Sequence, residues 1–253
     1  NAATAEPHFE ELPALHDLGH CDYDRDTWEK HVKVQARKEI GIRRFLEEGD
    51  YQAFTTNFEV LYGMEQLPGL AVQRLMAEGY GFAGEGDWKT AALDRLMKIM
   101  AKNQNTGFME DYTYEMSPGN EAILQSHMLE VPPQLAANKP KIVVSPLSMG
   151  DRPDPARLVF DGKAGEGVVV SMADFGTHYK LLINEVELFE PEVPAPKLPV
   201  ARVMWKPKPN FQEGVKQWIQ AGGGHHTVVS LNVTSAQVVD WARMVNLENV
   251  LIK

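Results

Sequence analysis

The chain has 253 residues, 43% hydrophobic and 24% charged, enough to bury one large core or two small ones. With 25 Lys and Arg against 35 Asp and Glu its formal charge is -10, so nothing generic in its electrostatics favours nucleic acid or an anionic membrane, and a neutral or cation-associated ligand fits better. Its one cysteine, Cys21, excludes an intramolecular disulfide; with no basic-then-apolar start and no run of about 18 apolar residues, a cytoplasmic protein that spans no membrane is expected.

In chain order, Trp28, Val32, Ala36 and Ile40 recur every four residues among charges, which predicts an amphipathic helix over 26–48. Residues 53–58 read as a short strand. Pro68 opens a helix over 69–78, Gly79 closes it, and a Gly-rich turn over 79–86 leads to Asp87, a suitable N-cap for a helix reaching about 102. This alternation predicts an α/β layer. From 108 onward the texture changes to strand-like runs at 108–116, 123–130, 141–146, 157–160, 167–173, 179–189 and 200–206, most of them separated by Asp, Gly or Pro. An antiparallel barrel or sandwich is the natural closure of so many strands. Pro191, Pro194, Pro196 and Pro199 stiffen a surface crossing, and two short helices are expected at 211–220 and 235–245. The last residues, 250–253, read as a buried strand; that run and the missing initial Met create the expectation that both ends are cut.

Four segments carry side chains suited to chemistry. Gly84-Glu85-Gly86-Asp87-Trp88 sets two carboxylates two apart in a turn and reads either as a ligand loop or as a capped, solvated turn. Period two in Phe108-Met109-Glu110-Asp111-Tyr112 puts Phe108, Glu110 and Tyr112 on one face, so Glu110 is either an acid or base tuned by aromatics or a solvated residue of an edge strand. His127 is either structural or a ligand, and on a regular strand Glu130 would face the opposite way. In Gly222-Gly223-Gly224-His225-His226-Thr227 the glycines release a helix and present two imidazoles, which on an extended chain point to opposite sides. No pair has HExxH, EF-hand or CxxC spacing, so a metal site must be assembled from distant segments.

The segments Ala53-Phe54-Thr55-Thr56-Asn57-Phe58, Gln66-Leu67-Pro68-Gly69-Leu70-Ala71, Gly79-Tyr80-Gly81-Phe82, Glu85-Gly86-Asp87-Trp88-Lys89-Thr90-Ala91, Phe108-Met109-Glu110-Asp111-Tyr112-Thr113-Tyr114, His127-Met128-Leu129-Glu130, Leu198-Pro199-Val200-Ala201-Arg202-Val203 and Ala221-Gly222-Gly223-Gly224-His225-His226-Thr227 occur in the order seen in L-arabinose isomerases. The chain resembles that family from about Ile40 to its C-terminus. The fold implied is α/β plus β: a partial Rossmann-like α/β layer over 1–107, then an antiparallel β-barrel domain with two short helices over 108–253.

The resemblance implies a divalent cation, usually Mn²⁺ with Co²⁺ or Mg²⁺ as alternatives, held by Glu85, Glu110, His127 and His226; Glu85 and Glu110 would also serve as base and acid. Phe58, Asp87, Phe108, Glu130, Met149 and His225 would line the sugar site. The implied reaction interconverts L-arabinose and L-ribulose, and D-galactose and D-tagatose, through a cis-enediol, in a homo-oligomer that is a trimer or hexamer in the full-length family. Three positions depart from the family pattern, Glu115, Pro132 and Met149, and none is a ligand. The family's N-terminal domain, part of its central domain and a short C-terminal tail have no counterpart here, which leaves a non-catalytic cation-binding or assembly fragment as the second reading; a metallohydrolase, in which the same ligand types would hold a metal-bound water beside a base, is the third.

Overall fold

The computed structural model describes residues 17–18, 23–147, 151–195 and 197–253, and for 17–18, 111 and 112 the backbone alone. Cys21, Met149 and Pro196 lie outside the described residues. The chain opens with strand β1 (Asp17–Leu18), then helix α1 (Arg25–Glu48), β2 (Ala53–Thr55), α2 (Gly69–Ala77), β3 (Gly81–Ala83) and α3 (Trp88–Met100). Strands β4 (Thr106–Glu115), β5 (Ala122–Ser126), β6 (Lys141–Val144), β7 (Ala156–Val159), β8 (Gly165–Asp174), β9 (Tyr179–Phe189) and β10 (Val203–Pro207) follow. Helix α4 (Phe211–Ala221), β11 (His226–Ser230), α5 (Ser235–Met244) and β12 (Glu248–Ile252) complete the order.

Six of these strands close on themselves in the order β10, β5, β4, β11, β8, β9 and back to β10, every pairing antiparallel, which makes the expected barrel. Strand β12 adds to β9 in parallel. The runs predicted at 141–146 and 157–160 do not enter the barrel: β6 and β7 pair with each other and, through β6, with β1 in a separate sheet. Their neighbours explain this, because Ile142, Val144, Ala156 and Leu158 share one core with Trp28, Val32 and Ala36 of α1 and Leu70 of α2. Strand β2 pairs in parallel with β3 beside α3.

Alternation along the barrel strands buries both faces. Met109, Val169, Leu182 and Val229 belong to one core. Val168, Val170, Ile183 and Val228, one residue out of phase, meet Leu93 and Met97 of α3 and Val238 and Ala242 of α5. Helix α3 thus lies against the barrel, and its cap comes to the barrel rim. Asp87 caps it by accepting from the Thr90 N–H at 3.1 Å. Strand β5 stops at Ser126 instead of running to 130, so residues 127–130 turn away from it.

One ion pair inside the α/β layer is fully buried. Lys98 lies 3.0 Å from Asp94 one turn earlier on α3, and both are completely enclosed. Lys98 also donates to the Tyr80 and Met76 carbonyls at 2.7 and 3.3 Å, while Asp94 accepts the Phe82 N–H at 2.9 Å. The pair ties α3 to the end of α2 and to β3, the strand that delivers Glu85. Burial pushes the Asp94 carboxyl up and the Lys98 ammonium down, so each depends on the other for its charge. Replacing Lys98 with Met strands a buried carboxylate, and Lys98→Met is expected to lose about 3–5 kcal/mol of stability in urea unfolding; a loss below about 1 kcal/mol would show that the pair does not hold this layer.

Candidate metal centre

The site begins at a turn. After β3 the chain enters the left-handed region at Glu85, φ 60°, and stays there at Gly86, φ 83°. For a residue with a Cβ this costs about 1–2 kcal/mol, and the turn is held by two bonds from the Gly86 N–H, to the Thr56 carbonyl at 3.1 Å and to Thr55 Oγ1 at 3.0 Å. Strain of this kind concentrates where a side chain must be aimed. Gly84 is required by contact: a Cβ there would stand 2.8 Å from His127 Nε2.

The barrel supplies the other side chains. On β4, Phe108 and Glu110 share a face; β11 places His226 directly opposite Glu110, and β5 places Ser126 opposite it on the other side, with His127 next in the chain. Phe108 is fully buried, with its ring edge-on to His127 at 5.1 Å and to His226 at 5.3 Å between centroids. Between the elements, His226 Nε2 lies 3.6 Å from Glu85, and His127 Nε2 lies 3.9 Å from Glu110. These gaps are too long for hydrogen bonds and resemble the ~3–4 Å between donors sharing one cation through bonds of about 2.0–2.2 Å.

Each imidazole is braced on its far nitrogen by a carboxylate. His127 Nδ1 meets Glu130 at 2.6 Å, and His226 Nδ1 meets Asp87 at 3.2 Å. Regular-strand geometry predicts Glu130 on the opposite face from His127, and the structure corrects this: because β5 ends at Ser126, the following bend folds Glu130 back onto the ring. A carboxylate on Nδ1 leaves Nε2 to serve as a ligand, the arrangement common among metal-binding histidines. The His226 Nε2 is buried and has no hydrogen-bond partner, a costly state that a cation would relieve.

The electrostatics agree. Burial alone would lower the His127 pKa, but Glu130, then Glu110 and Glu85, outweigh it and raise it, so this spot favours positive charge. Asp87 experiences burial as its largest influence, upward, yet hydrogen bonds from His226 and Thr90, with Lys89 nearby, hold it well below the usual carboxylate range.

The side chains open onto two spaces. An inner cavity of about 370 Å³ is lined by Phe58, Glu85, Glu110, His127 and Glu130 together with Thr56, Leu67, Leu129 and Leu147. A second groove of about 300 Å³ holds Asp87, Lys89, Asp174, His225 and His226. Sequence reasoning missed Thr56 and Leu67, although both lie in segments quoted for the family resemblance, and it missed the bracing roles of Asp87 and Glu130. A His and a Glu three apart were the available signal for the latter pair. His225 precedes β11 on a bend, so the two adjacent imidazoles do not diverge; their centroids are 4.3 Å apart and both face Glu85.

Residues 105–248 match the L-arabinose isomerase C-terminal domain and residues 2–103 its central domain. L-arabinose isomerase 2 of Bacillus licheniformis is 72% identical over 97% of this chain and 52% of its own length, and L-arabinose isomerase of Oceanobacillus iheyensis is 70% identical over the same shares. L-arabinose isomerase of Geobacillus stearothermophilus is 54% identical over 96% of the chain and 49% of its own length. The chain spans about half the length of the curated relatives it matches. With a barrel of the expected kind and this degree of identity, the chain belongs to the L-arabinose isomerase family.

Proposed function

We infer that this chain carries the cation-binding and proton-transferring part of an aldose-ketose isomerase that interconverts L-arabinose and L-ribulose. The observation that carries the reading is the pair of braced imidazoles whose Nε2 atoms turn toward Glu85 and Glu110, one of them buried without a partner. Glu85, Glu110, His127 and His226 would hold the ion, an oxygen and nitrogen set that suits Mn²⁺, with Co²⁺ or Mg²⁺ as alternatives. When bound, the cation would polarise the sugar's carbonyl and make the adjacent C–H acidic.

The chemistry left to the protein is the movement of two protons. Conversion of an aldose to a ketose takes a proton from C2 to C1 and another from O2 to O1, by way of a cis-enediol. One carboxylate of the Glu85 and Glu110 pair takes the carbon-bound proton and returns it; the other carries the hydroxyl proton. Phe58, Leu67, Leu129 and Leu147 give the cavity an apolar flank for the sugar's C–H face, and its volume falls in the roughly 300–1,000 Å³ range of small-molecule sites. Phe108, Met149 and His225 complete the sugar-lining set implied by the family, with Glu130, which lines the inner cavity, and Asp87, which lines the outer groove. D-Galactose shares the configuration of L-arabinose at C2 to C4, so the same transfers would give D-tagatose.

A cytoplasmic location and assembly into a trimer or hexamer belong to the same reading; among the described residues no helix is long and apolar enough to cross a membrane. The second reading is a non-catalytic cation-binding fragment, and the observation favouring it is the half-length match to the relatives. Ketose formation from L-arabinose by the purified chain, with and without Mn²⁺, separates the two. Metal-dependent turnover that falls at least 100-fold in Glu110→Gln supports the isomerase; Mn²⁺ binding without turnover supports the fragment. Gly84→Ala drives a methyl group against His127 and is expected to weaken Mn²⁺ binding at least ten-fold in titration calorimetry while leaving the circular dichroism spectrum unchanged; unaltered affinity would remove His127 from the ligand set.

A further inference from the structure

The four expected ligands are not the most compact group. Among the described residues, the ligand atoms of Glu85, His225 and His226 all lie within 4.8 Å of one another. That trio straddles the two spaces: Glu85 lines the inner cavity, while His225 and His226 line the outer groove. It also spans the change from solvent to interior, with side-chain exposures of 59% at His225, 40% at Glu85 and 7% at His226. Glu110 sits between the two sets, since one of its oxygens faces His225 Nε2 and the other faces His127 Nε2, each at 3.9 Å. Asp87 and Asp174 make the outer groove attractive to a cation, and the one lysine lining it, Lys89, is drawn to Asp87 at 3.3 Å.

We propose that a divalent cation reaches this site in two stages, held first by Glu85, His225 and His226 at an outer position and then passed by Glu110 to His127. His225 is the ligand that takes the ion from water, a role separate from lining the sugar. The first position asks for no rearrangement of buried groups, because His226 already has its Nδ1 braced and its Nε2 unpartnered. The second exchanges His225 for His127, which Glu130 holds in place for it. The inference rests on the cation-binding part of the reading above and not on turnover.

The test mixes the metal-free 253-residue chain with Co²⁺, whose visible absorption reports its nitrogen ligands, and follows uptake by stopped flow. Two phases are expected for the unaltered chain. His225→Ala, with His225→Asn as a second variant that keeps polarity, should abolish the first phase and slow capture at least ten-fold while retaining the final spectrum. His127→Ala should keep the first phase and lack the second. Unchanged uptake in both His225 variants would overturn the proposal, and a chain that takes up no Co²⁺ would overturn it together with the cation reading. Two-phase uptake by a chain that forms no ketose would uphold it and remove only the isomerase reading.

Discussion

The register of three neighbouring barrel strands is the constraint on which the site depends. Glu110 on β4 stands opposite His226 on one side and Ser126 on the other. A slip of one residue would turn Glu110 away and bring Met109 to the site. Buried polar bonds pin that register. Gln125 reaches past β4 to Thr227 Oγ1 at 2.9 Å, and Thr106 meets the Ser230 hydroxyl at 2.6 Å at the far end of the pair. A slipped pairing would leave these groups buried and unbonded, at about 1–3 kcal/mol each.

The α/β layer is fixed to this frame by a row of aromatic contacts and by one shared carboxylate. Phe54 meets Phe82 at 5.2 Å, Phe82 meets Phe108 at 5.6 Å, and Phe108 meets both imidazoles. Asp87 caps α3 through one oxygen and faces His226 through the other, so the start of a helix and the orientation of an imidazole on β11 are set by a single side chain. A drift of the turn carrying Glu85 relative to the barrel would break either this cap or the contact with His226.

Much of this could be read in the sequence. Four-residue spacing located α1 near its observed limits, Asp87 was legible as a cap, and the β9 run at 179–189 matches its strand. Strands β6 and β7 were visible as strands but not as members of a separate sheet, because their partners, β1 and the faces of α1 and α2, are remote in the chain. At the site, residue types were legible and directions were not. Adjacent histidines diverge only where the chain is extended, and His225 sits on a bend; His127 and Glu130 oppose each other only on a regular strand, and β5 ends one residue earlier. The braces on the imidazoles are contacts between segments, and no local pattern encodes the Asp87 to His226 pairing across 139 positions.

That separation has a consequence for how the protein comes into being. Loops of this length are closed after local contacts, since the entropy of closure must be met before distant partners can reward it. A nascent chain carries Glu85, Glu110 and His127 before His226 is synthesised, and it is β11, seated between β4 and β8, that sets His226 opposite Glu110. Glu110 and His226 are thus brought face to face only once β11 is in place between β4 and β8. A chain with β11 unpaired lacks the Glu110 to His226 juxtaposition, however complete its helices.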